Sequence, residues 1–380
     1  MQKLREKREK GFSLIEMLIV IAILSIIVAM NMQTFQSLIR GSATQAAISS
    51  TQFEGALTLE ILRTDIEAAG FGIADEFPTQ DIFGNPLAIN YSEAVDVVPA
   101  GFNDAPNGVP RAILNGDGIG YNGSDYLVIK STAVGENSAS GKWTYIHSAR
   151  PHVWNDSNLD MDTGNRMIVL KPSQTIGGNS TLLLNTDSTF YPAYSTSTDL
   201  PTAYQPVTAN DRYVAYGVDE TAATLRMPFN RADYYILQPG GNAPTNCSPK
   251  TGILYKGVVN QADGKLTLMP LLNCVADLQV LFRLDADGDG LPDTYSNSPN
   301  GMTAYNIKRQ VKEVRVYILA HEGGVDTSYQ RDLANQVVNV GETVGAQFFG
   351  RQYDLSTTGA GWRNYRWKVY TMTVKPRSLF

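Results

Sequence analysis

The sequence predicts an α+β protein in which one long N-terminal helix packs on a large antiparallel β-rich head. The first observation is an apolar run over residues 12–30 that contains only three polar side chains, which is long enough to cross a bilayer as a helix. The second is that no proline occurs over 12–69, so one helix can continue beyond the apolar run. The third is the remaining chain, where polar turns separate alternating apolar runs typical of strands.

The helix is predicted to run from Phe12 to Ala69 and to consist of two different halves. It would contain about 58 residues and measure roughly 87 Å at 1.5 Å per residue. We place the transmembrane part at 12–32 and expect the second half to pack on the head. Gly70 and Gly72 then end the helix in a way typical of C-caps. The expected apolar stripe of the second half is formed by Phe53, Leu57, Leu59, Ile61, Leu62 and Ile66.

Strand-like runs fill the head, residues 71–380. Residues 132–250 are dense in Asn, Ser, Thr, Gly and Pro and are interpreted as a region inserted into a smaller core. The runs beyond it alternate as half-buried antiparallel strands do. The predicted strands are 124–130, 167–170, 181–184, 213–216, 234–237, 252–259, 265–270, 275–284, 311–320 and 365–374.

The charge balance of the chain indicates which classes of ligand it is unsuited to bind. The formal net charge is −6, from 31 basic and 37 acidic residues. Nucleic-acid phosphates are held by patches of lysine and arginine, so an acidic chain argues against non-specific nucleic-acid binding. We therefore expect no nucleic acid among the partners.

The two cysteines, Cys247 and Cys274, are predicted to form a disulfide. The membrane span and its basic flank place both outside the cytoplasm, where disulfides persist. Two buried free thiols are the alternative. The spacing does not fit a C-x-x-C redox or zinc motif, so neither chemistry is supported.

The N-terminal segment is unusual for a membrane anchor, because a glycine and a carboxylate lie at the start of the apolar run. Five cations and two anions precede Gly11, and Glu16 lies inside the run. A secretory signal peptide has a shorter apolar core and a small-residue cleavage site. A plain signal anchor explains the length and the basic flank. It leaves Gly11 and Glu16 unexplained, and a carboxylate in hydrocarbon usually indicates a functional partner.

The segment Gly11-Phe12-Ser13-Leu14-Ile15-Glu16 resembles the processing site of type IV prepilins and type II secretion pseudopilins. The resemblance implies that a prepilin peptidase removes the leader 1–11 by cutting after Gly11, and that the new N-terminal residue, Phe12, is N-methylated. It also implies that the carboxylate of Glu16 pairs with the N-terminal amine of a neighbouring subunit during assembly. A pilin-like fold follows, with the helix over 12–70.

Later parts of the chain resemble the PilW-like minor pilins. The matching segments are the helix end 66–71, then 123–128, the strand 275–284 running into an Asp/Gly turn, 311–319, and the closing 371–377. The resemblance implies a minor pilin in the inner-membrane priming or tip complex of a type IV pilus. Its partners would be other minor and major pilins and the inner-membrane assembly platform. The chain would cross the inner membrane once with its N-terminus cytoplasmic, and would then move to the pilus, at or near its tip.

Two further functional hypotheses remain open. One is a minor pseudopilin of type II secretion that resembles GspJ, although such heads are usually smaller. The other is a tip-displayed adhesin or DNA-binding module that uses residues 132–250. The four tryptophans (Trp143, Trp154, Trp362 and Trp367) could form a sticky surface, but packing in the β-core and its loops is the preferred interpretation.

An acidic loop follows the strand predicted at 275–284 and fits the calcium-loop pattern. Carboxylates at alternate positions, a glycine at the sixth position and another carboxylate at the ninth supply the hard oxygens that Ca²⁺ prefers. The twelfth position is Ser296 and not the bidentate glutamate of an EF-hand. The alternative is an acidic turn that binds nothing. The predicted ligands of a structural Ca²⁺ are Asp285, Asp287, Asp289, Asp293 and the carbonyl of Leu291.

Catalytic patterns are weak, and we predict that the protein is not an enzyme. His147, His152 and His321 are spread along the chain, and the segment after His321 does not contain the second histidine of a zinc-protease helix. A Gly-x-Ser-x-Gly elbow and a phosphate-loop spacing are both missing. We assign no catalytic residue.

Overall fold

The computed structural model describes residues 11–81, 84–95, 100–175, 178–208, 210–220 and 224–379. Residues 1–10 of the predicted leader, with all of its cations, lie outside the described residues. The structure confirms the α+β fold, with one long N-terminal helix followed by a large antiparallel β-rich region.

The long helix α1 spans Leu14–Glu67 and is continuous. Its end agrees with the predicted C-cap, because Gly70 has a φ of +83° and donates its N–H to the carbonyl of Lys130 at 3.0 Å. A Cβ on Gly55 would lie 2.7 Å from Cε1 of Tyr370. The glycine therefore lets the helix backbone approach the head closely.

The two halves of α1 differ in burial. Apolar side chains from Phe12 to Ile39 are exposed, and this part of the helix is long and apolar enough to cross a membrane. In the second half Leu62 and Ile66 are buried against the head, as is Ala69 just after the helix. The predicted stripe is only partly correct: Phe53 is 71% exposed and Leu57 is 51% exposed. Thr58 and Asp65 occupy the buried side of the helix, so a count of apolar residues alone misplaces the contact face.

Fourteen strands and a second short helix lie in the described part of the chain. The helix α2 spans Ala304–Gln310. In chain order the strands are β1 (Ile113–Gly116), β2 (Tyr126–Ser131), β3 (Trp143–Ile146), β4 (Arg166–Lys171), β5 (Thr181–Leu182), β6 (Tyr213–Asp219), β7 (Asn230–Leu237), β8 (Gly252–Val259), β9 (Leu266–Leu284), β10 (Thr294–Ser296), β11 (Val311–Glu322), β12 (Val337–Val344), β13 (Gln347–Asp354) and β14 (Arg366–Val374).

Eight strands form one antiparallel sheet in the order β1-β2-β7-β8-β9-β11-β14, with β10 paired to β9. The second half of α1 covers one face of this sheet, where it contacts β9, β11 and β14. The hairpin β12–β13 lies on the other face, over Leu281, Tyr317 and Leu319. Both faces are therefore apolar and covered, which explains the long buried runs in β9 and β11.

Strand β9 joins two runs that the sequence separates. Residues 265–270 and 275–284 are predicted as two strands, but they form one bent strand. Pro270 has no N–H to donate, and it pairs with Tyr255 beside a register shift. Cys274 has a φ of +58° at a second shift, where an extra residue lets the strand bend. The chain also forms β1 ahead of the run at 124–130, which is the first strand that the sequence predicts.

A second sheet, with the order β3-β6-β4-β5, lies within residues 143–219. The chain leaves the large sheet after β2 and returns as β7, which pairs directly with β2. The region 132–250, interpreted as an insertion, thus contains this separate sheet and also β7, which belongs to the large sheet. Ile168, Leu170 and Leu182 of the second sheet pack in a cluster of their own with the segment after α1.

Candidate functional site

Gly11 lies just before α1, and the first turn of α1 is capped by side chains. A Cβ on Gly11 would meet none of the described residues within 4 Å, so their packing does not require a glycine there. Glu16 Oε2 accepts the N–H of Ser13 at 2.9 Å, and Ser13 Oγ accepts the N–H of Ile15 at 3.4 Å. This is a capping box, which was not predicted although the Ser-x-x-Glu spacing indicates one.

The acidic loop after β9 is ordered by its own carboxylates. Asp285 accepts the N–H groups of Gly288 at 2.7 Å and Gly290 at 2.9 Å. Asp287 and Asp289 each accept an N–H two residues further on. Gly288 and Gly290 have φ values of +82° and +90°, which turn the loop back on itself.

The structure brings three of the predicted calcium ligands together. Oxygens of Asp285, Asp287 and Asp289 lie within 4.8 Å of one another, and such hard oxygens suit Ca²⁺. Asp293 is engaged differently, because its Oδ1 accepts the N–H of Ala286 at 3.1 Å. Lys312 Nζ lies 3.7 Å from Asp285 Oδ2 and reduces the negative charge of the cluster. The donor set therefore fits a calcium ion only in part.

The two cysteines form the predicted disulfide. Cys247 and Cys274 have Cα atoms 5.0 Å apart, within the normal range for a disulfide. The bond ties the loop before β8 to the bend of β9. A ring nitrogen of His321 lies within 4.8 Å of both sulfurs, but disulfide sulfurs are not thiolate ligands for a metal.

His321 is a buried histidine with both ring nitrogens occupied. Nε2 accepts the N–H of Ser248 at 2.9 Å, so Nδ1 carries the proton and donates to the carbonyl of Gly323 at 3.0 Å. Burial lowers its pKa from 6.5 to about 4, and the bond to Gly323 offsets part of that effect. This histidine joins β11 to the disulfide loop.

The low pKa of His321 predicts a pH dependence of stability. The folded pKa is below the unfolded one, so the contribution is full above pH 6.5 and is lost as the pH falls towards 4. We expect His321→Gln, which keeps one acceptor and one donor, to remove this dependence. Between pH 7 and pH 4 the unfolding free energy of the wild type should fall by about 3 kcal/mol more than that of the variant, measured by urea denaturation. Parallel pH curves for the two proteins would contradict this assignment.

Two family models match the chain. The first, Type IV Pilus-assembly protein W, matches residues 233–378, and the second, the prokaryotic N-terminal methylation motif, matches residues 7–30. The chain matches a PilW-like type IV minor pilin. The comparison with curated proteins and the comparison with solved structures gave no match.

The two matched regions correspond to separate parts of the chain. The methylation motif covers the N-terminal end of α1, and the match at 233–378 runs from β7 through β14, the larger part of the main sheet. The second sheet lies outside both matches. The family is one of pilin-type structural proteins and not of enzymes, and it implies association with other pilus components.

The histidines and tryptophans of the chain are arranged differently from what the sequence indicates. His147 and His152 are not far apart, because their ring centroids are separated by 6.4 Å. Trp362 and Trp367 are buried on the face below the β12–β13 hairpin, as expected for core packing. Trp143 is 43% exposed on β3, and its ring is 5.4 Å from that of Trp154. Alternation along β3 is a sequence signal for the outward position of Trp143, but it does not show that Trp154 lies beside it.

Proposed function

We propose that this pilin joins the inner-membrane priming or tip complex of a type IV pilus and promotes pilus assembly. In this proposal the chain first lies in the inner membrane with its N-terminus on the cytoplasmic side. The leader is then cut after Gly11, Phe12 is N-methylated, and the helix enters the filament. The match to the pilus-assembly family supports the pilus over the type II secretion system as the setting, and the methylation motif fits both.

The exposed apolar surface of α1 is the observation that supports assembly most strongly. It runs from Phe12 to Ile39, and Phe53 and Leu57 continue it along the second half of the helix. Burial of such side chains stabilises by about 1.5–3 kcal/mol each. Lipid can cover the first half, but Phe53 and Leu57 lie beyond the predicted span. Helices of neighbouring pilins would cover them in a filament or tip complex.

The size of the head supports a low-copy position. The head contains two sheets and a covering hairpin, and the second sheet lies outside the part of the chain that the family model matches. A regular helical filament packs its subunits closely, so a head of about 300 residues would crowd its neighbours. A tip has room for such a head.

Glu16 is proposed to exchange its partner on assembly. Within the chain its carboxylate accepts the N–H of Ser13. Cleavage after Gly11 would create a charged amine on Phe12, and a neighbouring subunit's amine is a stronger partner than a neutral N–H in a medium of low dielectric constant.

Deletion of the protein tests the proposed function. We expect few or no surface pili by electron microscopy and normal export of hydrolases, with piliation restored by the wild-type chain. Loss of hydrolase export with normal pili would indicate the pseudopilin alternative instead.

We also propose that the acidic loop binds a structural Ca²⁺ through Asp285, Asp287 and Asp289. Binding to the folded state alone would raise the melting midpoint by at least about 3 °C at a calcium concentration far above the Kd. We expect this shift between calcium and chelator in the purified protein, measured by circular dichroism. The paired change Asp287→Asn and Asp289→Asn should abolish it, and Asp263→Asn, in another turn, should leave it intact. Equal midpoints for the wild type in calcium and chelator would rule the site out.

A further inference from the structure

Five ring side chains form a continuous surface on the second sheet, which we term the aromatic ridge. Its members are Trp143, Tyr145, His147, His152 and Trp154, and none of them is buried. Neighbouring ring centroids are 4.3–5.7 Å apart, from Trp143 and Trp154 at one end to Tyr145 and His147 at the other. Two of these residues, Trp143 and His147, are exposed and the other three are partly exposed. A contiguous aromatic surface that remains accessible to water indicates a binding site.

Strand geometry explains why the rings share one face. Along β3 the side chains alternate, so that Thr144 and Ile146 point into the protein and the ridge residues point outwards. The chain then returns beside β3, where the N–H of His152 donates to the carbonyl of Tyr145 at 2.9 Å. This pairing stacks the rings of Tyr145 and His152 at 4.3 Å, with an interplanar angle of 15°.

Hydrogen bonds hold the ridge in place without any ligand. Trp154 Nε1 donates to the carbonyl of Trp143 at 3.0 Å, and the N–H of Trp154 donates to Asp160 at 2.8 Å. The hydroxyl of Thr144 donates to the carbonyl of His152 at 2.7 Å. A surface fixed in this way loses little conformational entropy when it binds.

A groove of about 430 Å³ lies beside the tryptophan end of the ridge. Trp143 and Trp154 form part of its wall, and Asn158 and Leu159, both exposed, form another part. A groove with aromatic walls and a few polar groups is typical of small-ligand sites.

The charges around the ridge favour a neutral ligand. The segment 140–160 carries two cations, Lys142 and Arg150, and two anions. Lys142 Nζ donates to the carbonyls of Ser157 and Asp160, and Arg150 Nε donates to Asp199 at 2.6 Å. Both cations of this segment are therefore already bound to oxygens of the protein. Single-stranded nucleic acid needs a positively charged groove as well as stacking rings, so the ridge does not suit it.

We propose that the aromatic ridge binds a neutral carbohydrate, an extended chain of pyranose rings, with sugar faces laid against the tryptophan and tyrosine rings. The C–H bonds of a pyranose face carry partial positive charge, and they match the negative face of an aromatic ring. Sugar hydroxyls at the edge can bond to the amide of Asn158 in the groove. The proposal does not depend on the role of the protein in assembly.

Tryptophan fluorescence of the full chain in a sugar-free detergent tests the proposal. The probes are cellohexaose, chitohexaose and maltohexaose, with a twelve-residue thymidine oligonucleotide as the nucleic-acid probe. We expect at least one sugar to change the emission in a saturable way. Trp143→Ala should weaken that binding about tenfold or more. Tyr305→Ala removes a ring that is 52% exposed and lies outside the ridge, and it should bind as the wild type does.

The melting midpoint of each variant shows whether the fold is kept. If Trp143→Ala lowers it, Tyr145→Leu takes its place as the test variant, with the same expected loss of affinity. The proposal is overturned if none of the three sugars changes the emission, if the ridge variant binds as tightly as the wild type, or if only the oligonucleotide binds.

Discussion

Replacing Arg231 with methionine should lower the free energy of unfolding by about 3–5 kcal/mol. The reason is that the guanidinium is fully buried and neutralises two buried carboxylates. Methionine keeps much of the length and the apolar stem, so the loss comes from the charge and its hydrogen bonds. Urea denaturation, followed by circular dichroism at pH 7, measures the change.

The contacts of Arg231 show why its loss should be severe. Nε and Nη2 donate to the two oxygens of Asp233 at 2.7 and 2.9 Å. Nη1 donates to Glu93 at 3.2 Å and to Asn103 at 2.6 Å. In the register of the sheet, Arg231 on β7 lies directly opposite Lys130 on β2. Two cations in that position would repel each other without the acids between them.

Two of the acids, Glu93 and Asp104, come from the segment between α1 and β1, whereas Asp233 lies on β7 itself. Lys130 Nζ lies 2.7 Å from Glu93 and 2.6 Å from Asp104, and the lysine side chain is fully buried. Glu93 is thus shared by both cations. The network joins the segment after α1 to the strands on either side of the insertion point, so breaking it should also loosen the contact between the two sheets.

Arg150→Met is the matched control for this prediction. Arg150 pairs with Asp199 at 2.6 Å, but both side chains are about half exposed. Water replaces such a contact readily, and we expect a loss below about 1 kcal/mol. Equal losses for Arg231→Met and Arg150→Met would show that burial of the network does not control its contribution.

The fold was predicted well where a local pattern sets the structure. Residues 252–259 form β8 as predicted, and the runs at 167–170, 311–320 and 365–374 differ from β4, β11 and β14 by one or two residues at the ends. Turn residues bound these runs, and alternation shows which side is buried. The disulfide follows from the cellular compartment and the cysteine count.

The remaining features depend on contacts between distant residues. Glu93 and Arg231 are 138 positions apart, and in the sequence both look like ordinary surface charges. The exposed position of Phe53 depends on where the head begins to cover the helix, which periodicity does not show. The aromatic ridge requires that the chain return beside β3, and single tryptophans in a polar stretch do not reveal such a pairing.

Replacing Gly11 with leucine should abolish shortening of the protein. A peptidase must grip an extended backbone at its cleavage site, and a bulky side chain next to the cut blocks that approach. The structure strengthens this argument, because a Cβ on Gly11 would have open space among the residues that the structure describes. The requirement for glycine would then come from an outside protein. Mass spectrometry of the membrane fraction should find the full-length chain, with neither the loss of residues 1–11 nor a methyl group.

Two further variants separate cleavage from assembly. Gly41→Leu also places a side chain in open space on α1 but away from the cleavage site, so it should be shortened normally. Glu16→Ala should be cut and methylated, yet fail to enter pili, because it has no carboxylate to pair with the amine of a neighbouring subunit. If Gly11→Leu were still shortened and assembled, the proposed cut after Gly11 would be wrong. The proposed N-methylation of Phe12 would then be wrong as well. A Glu16→Ala chain that assembled normally would leave Glu16 with the capping contact to Ser13 as its only role.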